Sequence, residues 1–210
     1  MITLAIIGIV GAMTIPTLIQ NYKKQQTTAR LKKFYSTMLQ VVRLAEIDNG
    51  PSSTWSFTKV YAFDKDGVRD MAAVYDYTNN WAAKYILPYL KFSKVVEGEY
   101  IPATGNDEEI NTLPAIYLND GSIIYFNLGS CVDITYDKDG TSGPMARARA
   151  LFKFTWCFDN EYTGFEPYLY HTTISHEDAL NKCKNSSSSY CSSLLMYDNW
   201  QFKDDYPYKL

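Results

Sequence analysis

Histidine is nearly missing from this chain, with only His171 and His176 among 210 residues. Five positions apart, they do not share a helical face, and neither belongs to a His-Glu-x-x-His zinc motif. No Gly-x-Ser-x-Gly nucleophile elbow occurs, and no glycine loop of the kind that cradles phosphate. Hydrolytic and nucleotide-dependent chemistry therefore have no support, and the chain reads as non-enzymatic with no catalytic residue. Acid is absent from the first 45 residues and cysteine from the first 130. Both gaps mark a chain whose beginning and end differ in character.

The acid-free stretch carries Lys23, Lys24, Arg30, Lys32, Lys33 and Arg43, a formal +6 that leaves −9 for residues 46–210 in a chain of net charge −3. So acidic a globular portion repels nucleic acid overall, which makes nucleic acid an unexpected partner. With 46% hydrophobic and 15% aromatic residues there is enough apolar surface for a core, and 18 tyrosines favour half-buried β-surface. The four cysteines, Cys131, Cys157, Cys183 and Cys191, point to disulfides in an oxidising compartment. Three pairings are open. A short Cys183–Cys191 loop with a Cys131–Cys157 cross-strand bridge is the favoured one. Zinc, with His171 and His176 as extra ligands, is the competing use, but no Cys-x-x-Cys pair exists.

What the chain does have is an uncharged run from Met1 to Ile19. Its 19 residues are close to the roughly 20 that a membrane span needs. No basic region precedes it and no small-residue cleavage site follows, so an ordinary secretory signal fits poorly. Gly8, Gly11 and Pro16 weaken a soluble helix but are common where helices pack closely or lie in lipid, and Gly8-x-x-x-Ala12 is a small-xxx-small pair. The run passes without a turn signal into Gln20–Asp48, where Tyr22, Ala29, Phe34, Met38, Val41, Val42 and Ala45 recur at helical steps. Asn49-Gly50-Pro51 ends the pattern. A continuous helix to Asp48 would be about 70 Å long, too long for a globule of this size to hide.

The order Ile6-Ile7-Gly8-Ile9-Val10-Gly11-Ala12-Met13-Thr14-Ile15-Pro16, followed by an amphipathic helix, resembles the N-terminal segment of type IV pilins and type II secretion pseudopilins. The resemblance implies an α+β, pilin-like fold in which a long N-terminal helix packs on a C-terminal domain with a small antiparallel sheet. Residues 1–22 would be the transmembrane and filament-core half of that helix, 23–50 its amphipathic half, and 51–210 an extracytoplasmic domain. It implies core packing through Ile6, Ile7, Gly8, Ile9, Val10, Gly11, Ile15 and Pro16, with other subunits and the bacterial inner membrane as partners. The Lys23–Lys33 charges alone would hold that side in the cytoplasm, against the cysteines; a basic leader of the prepilin kind resolves the conflict. Such a leader, its Gly–Phe cleavage site and the following glutamate would stand before Met1, so prepilin peptidase is a partner only if an upstream leader exists. A looser likeness runs through Val132–Tyr136, Gly143-Pro144 and Phe152-Lys153-Phe154.

Further along, a second helix is expected over Val68–Leu87 and a hairpin around Asp120-Gly121. Cys131–Tyr136 and Ala148–Trp156 read as strands, the latter alternating Ala148, Ala150, Phe152, Phe154 and Trp156 against Arg147, Arg149, Leu151 and Lys153. A sheet of three or four strands is expected. Ser175 with Asp178 marks a helix start, Asn185–Ser193 a serine-rich loop, and Tyr197–Leu210 a strand or extended tail. Asp-Lys-Asp-Gly occurs at Asp64–Gly67 and Asp137–Gly140. Both read first as polar turns; in the second, Asp133, Asp137 and Asp139 are candidate calcium ligands. Arg147, Arg149 and Lys153 form a basic stripe that either guards a strand face or contacts phosphates. The second use would suit a minor pilin acting as an adhesin or a DNA- or ligand-binding module.

Overall fold

The computed structural model describes residues 2–55, 65–67, 70–100, 112–128, 131–140, 149–158 and 162–210, with side chains described from Ala12 onward apart from 13, 71, 97–100, 112–113 and 128. Helix α1 (Ile2–Asn49) is unbroken, running through Pro16. At 1.5 Å per residue it spans about 72 Å. Gly50 then turns the chain in the left-handed region (φ +79°), the cap that glycine supplies without strain, and Pro51 prevents continuation. The second half of α1 is docked. Thr27, Leu31, Phe34, Met38, Val41, Val42 and Ala45 are buried, a stripe of three- and four-residue steps that faces the sheet.

That sheet has six strands in chain order, every neighbouring pair antiparallel: β1 (Phe92–Tyr100), β2 (Thr112–Leu118), β3 (Ile123–Leu128), β4 (Val132–Asp137), β5 (Leu151–Phe158) and β6 (Thr163–Pro167). The expected three or four strands were too few. Phe92–Tyr100 is mostly polar and Thr163–Pro167 contains glycine and proline, so neither alternates clearly. They form the two edges, where pairing on one side suffices. The α1 face of the sheet carries Ile116, Ile124, Phe126, Ile134, Tyr136, Phe152, Phe154, Trp156 and Phe165. Phe34 stacks on Tyr136 with ring centroids 4.1 Å apart and meets Phe154 edge-on at 4.9 Å.

The far face is not simply wet. Ala115, Tyr117, Ile123 and Tyr125 form a second, smaller buried cluster, and Leu151, Thr155 and Cys157 are buried as well. The expected alternation on β5 therefore holds for its aromatic face and fails on the opposite one. The strand also starts at Leu151; Arg147 and Ala148 lie outside the described residues.

Helix α2 (Met71–Tyr85) begins at Asp70, whose carboxylate accepts the Ala73 N–H. Trp81 and Tyr85 drive against Trp55 and Trp156. Val68, where this helix was expected to begin, lies outside the described residues. Helix α3 (His176–Asn185) starts as its sequence indicates: Ser175 Oγ accepts the Asp178 N–H and the Asp178 carboxylate accepts the Ile174 N–H. Helix α4 (Cys191–Tyr197) replaces the end of the expected serine loop, because Ser192 and Ser193 are buried and Ser193 donates to the Tyr168 carbonyl. After α4, Asn199 and Trp200 both take left-handed φ values (52° and 63°). This reversal seats Trp200 against Tyr35 and Phe154. The remaining tail is irregular, not a strand, and buries Phe202 and Tyr206.

Candidate functional site

From Thr14 to Lys23 every α1 residue is exposed. Ile15, Leu18, Ile19 and Tyr22 follow the i, i+3, i+4, i+7 rule of a single helix face, and Leu18 and Tyr22 are 70% and 63% exposed. Leu44 and Ile47 fall on the same line near the helix end, turned away from the sheet, and are exposed too. Leaving a large apolar side chain in water forgoes about 1.5–3 kcal/mol of burial each. Pro16 is on this exposed stretch. Ile6, Ile7, Gly8, Ile9, Val10 and Gly11 belong to the α1 backbone, but their side chains lie outside those described. Among the described residues no helix is long and apolar enough to cross a membrane.

Polar contacts fix how α1 leaves the body. Thr28 donates to the Trp200 carbonyl at 2.7 Å, Arg30 donates to the Lys138 carbonyl, and Lys33 pairs with Asp120 at 2.9 Å. Burial opposes ionisation of Asp120, yet the Ser122 hydroxyl, Lys33 and the Ser122 N–H hold its carboxyl down at about 2. Beside it lies the second Asp-Lys-Asp-Gly. Asp137 Oδ1 accepts the N–H groups of Asp139 and Gly140 at 3.0 Å each. Gly140 has φ +56°, and a Cβ there would stand 2.0 Å from the Gly121 carbonyl oxygen. This is a polar turn of the Asx kind, packed against the β2–β3 hairpin.

The structure does not bring Asp133, Asp137 and Asp139 together as a calcium site. Asp133 faces Lys153 at 2.8 Å and Asp139 faces Lys138 at 2.6 Å, so two of the three carboxylates already have an ammonium partner. The same pairing takes Lys153 out of the basic stripe, where it also lies over the Tyr168 ring. Arg149 is exposed, and Arg147 lies outside the described residues. Of the first Asp-Lys-Asp-Gly, Asp64 lies outside them too, while Gly67 turns with φ +77°.

Cys131 is joined to Cys157, and Cys183 to Cys191. The first bridge ties the entry of β4 to the facing end of β5; the second ties α3 to α4. With all four sulfurs committed, a cysteine-ligated zinc has no donors. His171 instead packs flat on Tyr162 and meets the buried Glu166 carboxylate, which also accepts the His171 N–H at 3.0 Å. Burial and the Glu166 charge push the Tyr162 hydroxyl up. Together they hold the turn in which Leu169 takes φ 48°, a positioning duty. His176 points elsewhere, toward Asp198 and Asp205. Separations of 22 and 29 residues hid this grouping from any motif.

The class so defined is an α+β domain: a six-stranded antiparallel meander with a long N-terminal helix docked by its second half and exposed from Thr14 to Lys23. The chain belongs to a family of unknown function, DUF6613, whose model matches residues 17–210. No curated protein and no solved structure is significantly similar to it.

Proposed function

We propose that this chain is a structural, non-enzymatic subunit of a type IV pilus-like or type II secretion pseudopilus filament, held in the bacterial inner membrane before assembly. One observation carries the reading: α1 presents Ile15, Leu18, Ile19 and Tyr22 to solvent along one face while its second half is locked to a sheet. A bare apolar helix on a rigid platform lowers its free energy by entering lipid or by packing against its copies. The sequence from Met1 to Ile19 carries no charged residue. The disulfides support a domain outside the cytoplasm, and Lys23 and Lys24 lie just beyond the apolar run, where anionic headgroups would be.

The test is assembly in the native host. Ile6→Asp and Ile9→Asp variants should be made at normal levels yet be missing from sheared surface filaments or from the pseudopilus fraction. Normal incorporation of both would sink the proposal. The alternative, a membrane-anchored minor pilin acting as an adhesin or DNA-binding module, drew on a basic stripe that has lost Lys153 to Asp133. Nothing in the site favours it.

A further inference from the structure

Where α3 begins, α4 ends and the tail turns, three metal-ligating side chains converge. His176 is the first residue of α3, Asp198 caps α4, and Asp205 lies in the turn of the tail. One ligand atom from each lies within 4.8 Å of the other two. His176 Nε2 stands 3.0 Å from Asp198 Oδ1 and 3.9 Å from Asp205 Oδ2. Two ligands on a tetrahedral zinc, at bond lengths of about 2.0–2.1 Å, stand about 3.3 Å apart. The observed spacings bracket that value, so small side-chain shifts would close the site.

The second observation is the state of Asp198. Its side chain is 1% exposed, a burial that a carboxylate tolerates only with full compensation. Lys203 Nζ lies 2.6 Å from Oδ1 but is itself 53% exposed, and His176 crowds the same oxygen. Lys203 is the partner of Oδ1, while Oδ2 has no hydrogen-bond partner among the described residues. His176 Nε2 is buried in the same condition. One oxygen of each carboxylate and the imidazole Nε2 thus lie within 4.8 Å of one another, and Lys203 is the ammonium paired with them among the described residues.

We propose that His176, Asp198 and Asp205 bind a divalent transition-metal ion of the zinc class. The imidazole nitrogen selects zinc over calcium or magnesium, which prefer all-oxygen shells. Lys203 is the competing cation and swings into water when the ion enters. The bound ion ties the start of α3, the end of α4 and the tail to one centre. The tail carries Phe202 and Tyr206 into the core, packed edge to face at 4.8 Å, so metal binding stabilises this end of the domain. The proposal is independent of filament assembly.

The test uses the whole chain in detergent with its disulfides oxidised, freed of metal by a chelator and titrated with zinc chloride or calcium chloride. Calorimetry should find one zinc per chain, and an excess of 100-fold over Kd should raise Tm by about 5–10 °C, with little response to calcium. Asp205→Asn changes a side chain that is partly exposed and should weaken zinc binding at least tenfold without loss of folding. His176→Gln should do the same, whereas Lys203→Gln should tighten binding and His171→Gln leave it unchanged. Failure of both the wild type and Lys203→Gln to bind zinc would overturn the proposal. So would binding that survives Asp205→Asn and His176→Gln, or calcium binding as tightly as zinc.

Discussion

Replacing Asp137 by asparagine should flatten a pH dependence of stability that the wild type carries between about pH 4 and 6. Asp137 ends β4 and is 1% exposed. Burial is the largest influence on its carboxyl and raises it. The N–H groups of Asp139 and Gly140 and the Lys138 ammonium work downward, and the Asp139 carboxylate upward. The net result is a rise from the ordinary 3.8 to about 6. Because the folded value lies above the unfolded one, the native state keeps a proton that the unfolded chain has released within that window. Stability then falls as pH rises through it and levels off above. At 1.36 kcal/mol per pH unit, the ionised form carries a penalty of about 3 kcal/mol at neutral pH. Asparagine keeps Oδ1 as acceptor for both N–H groups and has no charge. Its NH₂ group would replace Oδ2, which has no hydrogen-bond partner, at a cost of about 1–3 kcal/mol at every pH. The slope is therefore the observable, not the level. Urea unfolding followed by tryptophan fluorescence should show Asp137→Asn gaining about 2–3 kcal/mol on the wild type between about pH 4 and 7. Asp120, held at about 2, has the opposite sign and loses its contribution only in stronger acid. Parallel stability curves for the two proteins would refute the reasoning.

Other parts of the structure yield equally direct expectations. Phe34→Ala removes the ring that joins α1 to Tyr136, Phe154 and Phe165; it should cost about 3–5 kcal/mol in chemical denaturation. A loss below about 1 kcal/mol would mean that α1 is not docked through this ring. Cys131→Ser with Cys157→Ser opens a bridge across a separation of 26 residues, and the chain-entropy relation gives about 3.5 kcal/mol. Thermal unfolding of the double variant, beside the wild type with and without reductant, measures it; an unchanged Tm would show that the bridge adds no stability.

Much of this architecture is legible in the residues themselves, because it depends on local rules. The span of α1 follows from an unbroken helical pattern that stops at Asn49-Gly50-Pro51, where only glycine takes the left-handed φ without strain. The docked stripe through Phe34, Met38, Val41 and Ala45 follows from its spacing, as do the Asp120-Gly121 hairpin and the Ser175–Asp178 cap. Tyr22 and Ala29, expected on the same stripe, are instead exposed because they fall on the opposite side of the helix. The excess of apolar surface at the start of the chain is likewise a property of sequence. It is the feature on which the functional proposal rests.

The rest depended on which segments meet. The edge strands β1 and β6 lack a clear alternating pattern and exist because β2 and β5 offer them hydrogen-bonding edges. Charged groups were the hardest to place. Asp133 and Lys153 read as a calcium ligand and part of a basic stripe, but the β4–β5 register sets Asp133 opposite Thr155 and Lys153 opposite Thr135, diagonal neighbours whose side chains pair at 2.8 Å. His176, Asp198 and Asp205 carry no shared motif and converge only when the reversal after α4 brings the tail back across the start of α3. Sequence alone determined the long helix and the uncharged character of its first 19 residues, since periodicity and capping act over a few residues. Tertiary structure decided which charges are paired, buried or gathered into a site, because electrostatic partners are set by distance in space.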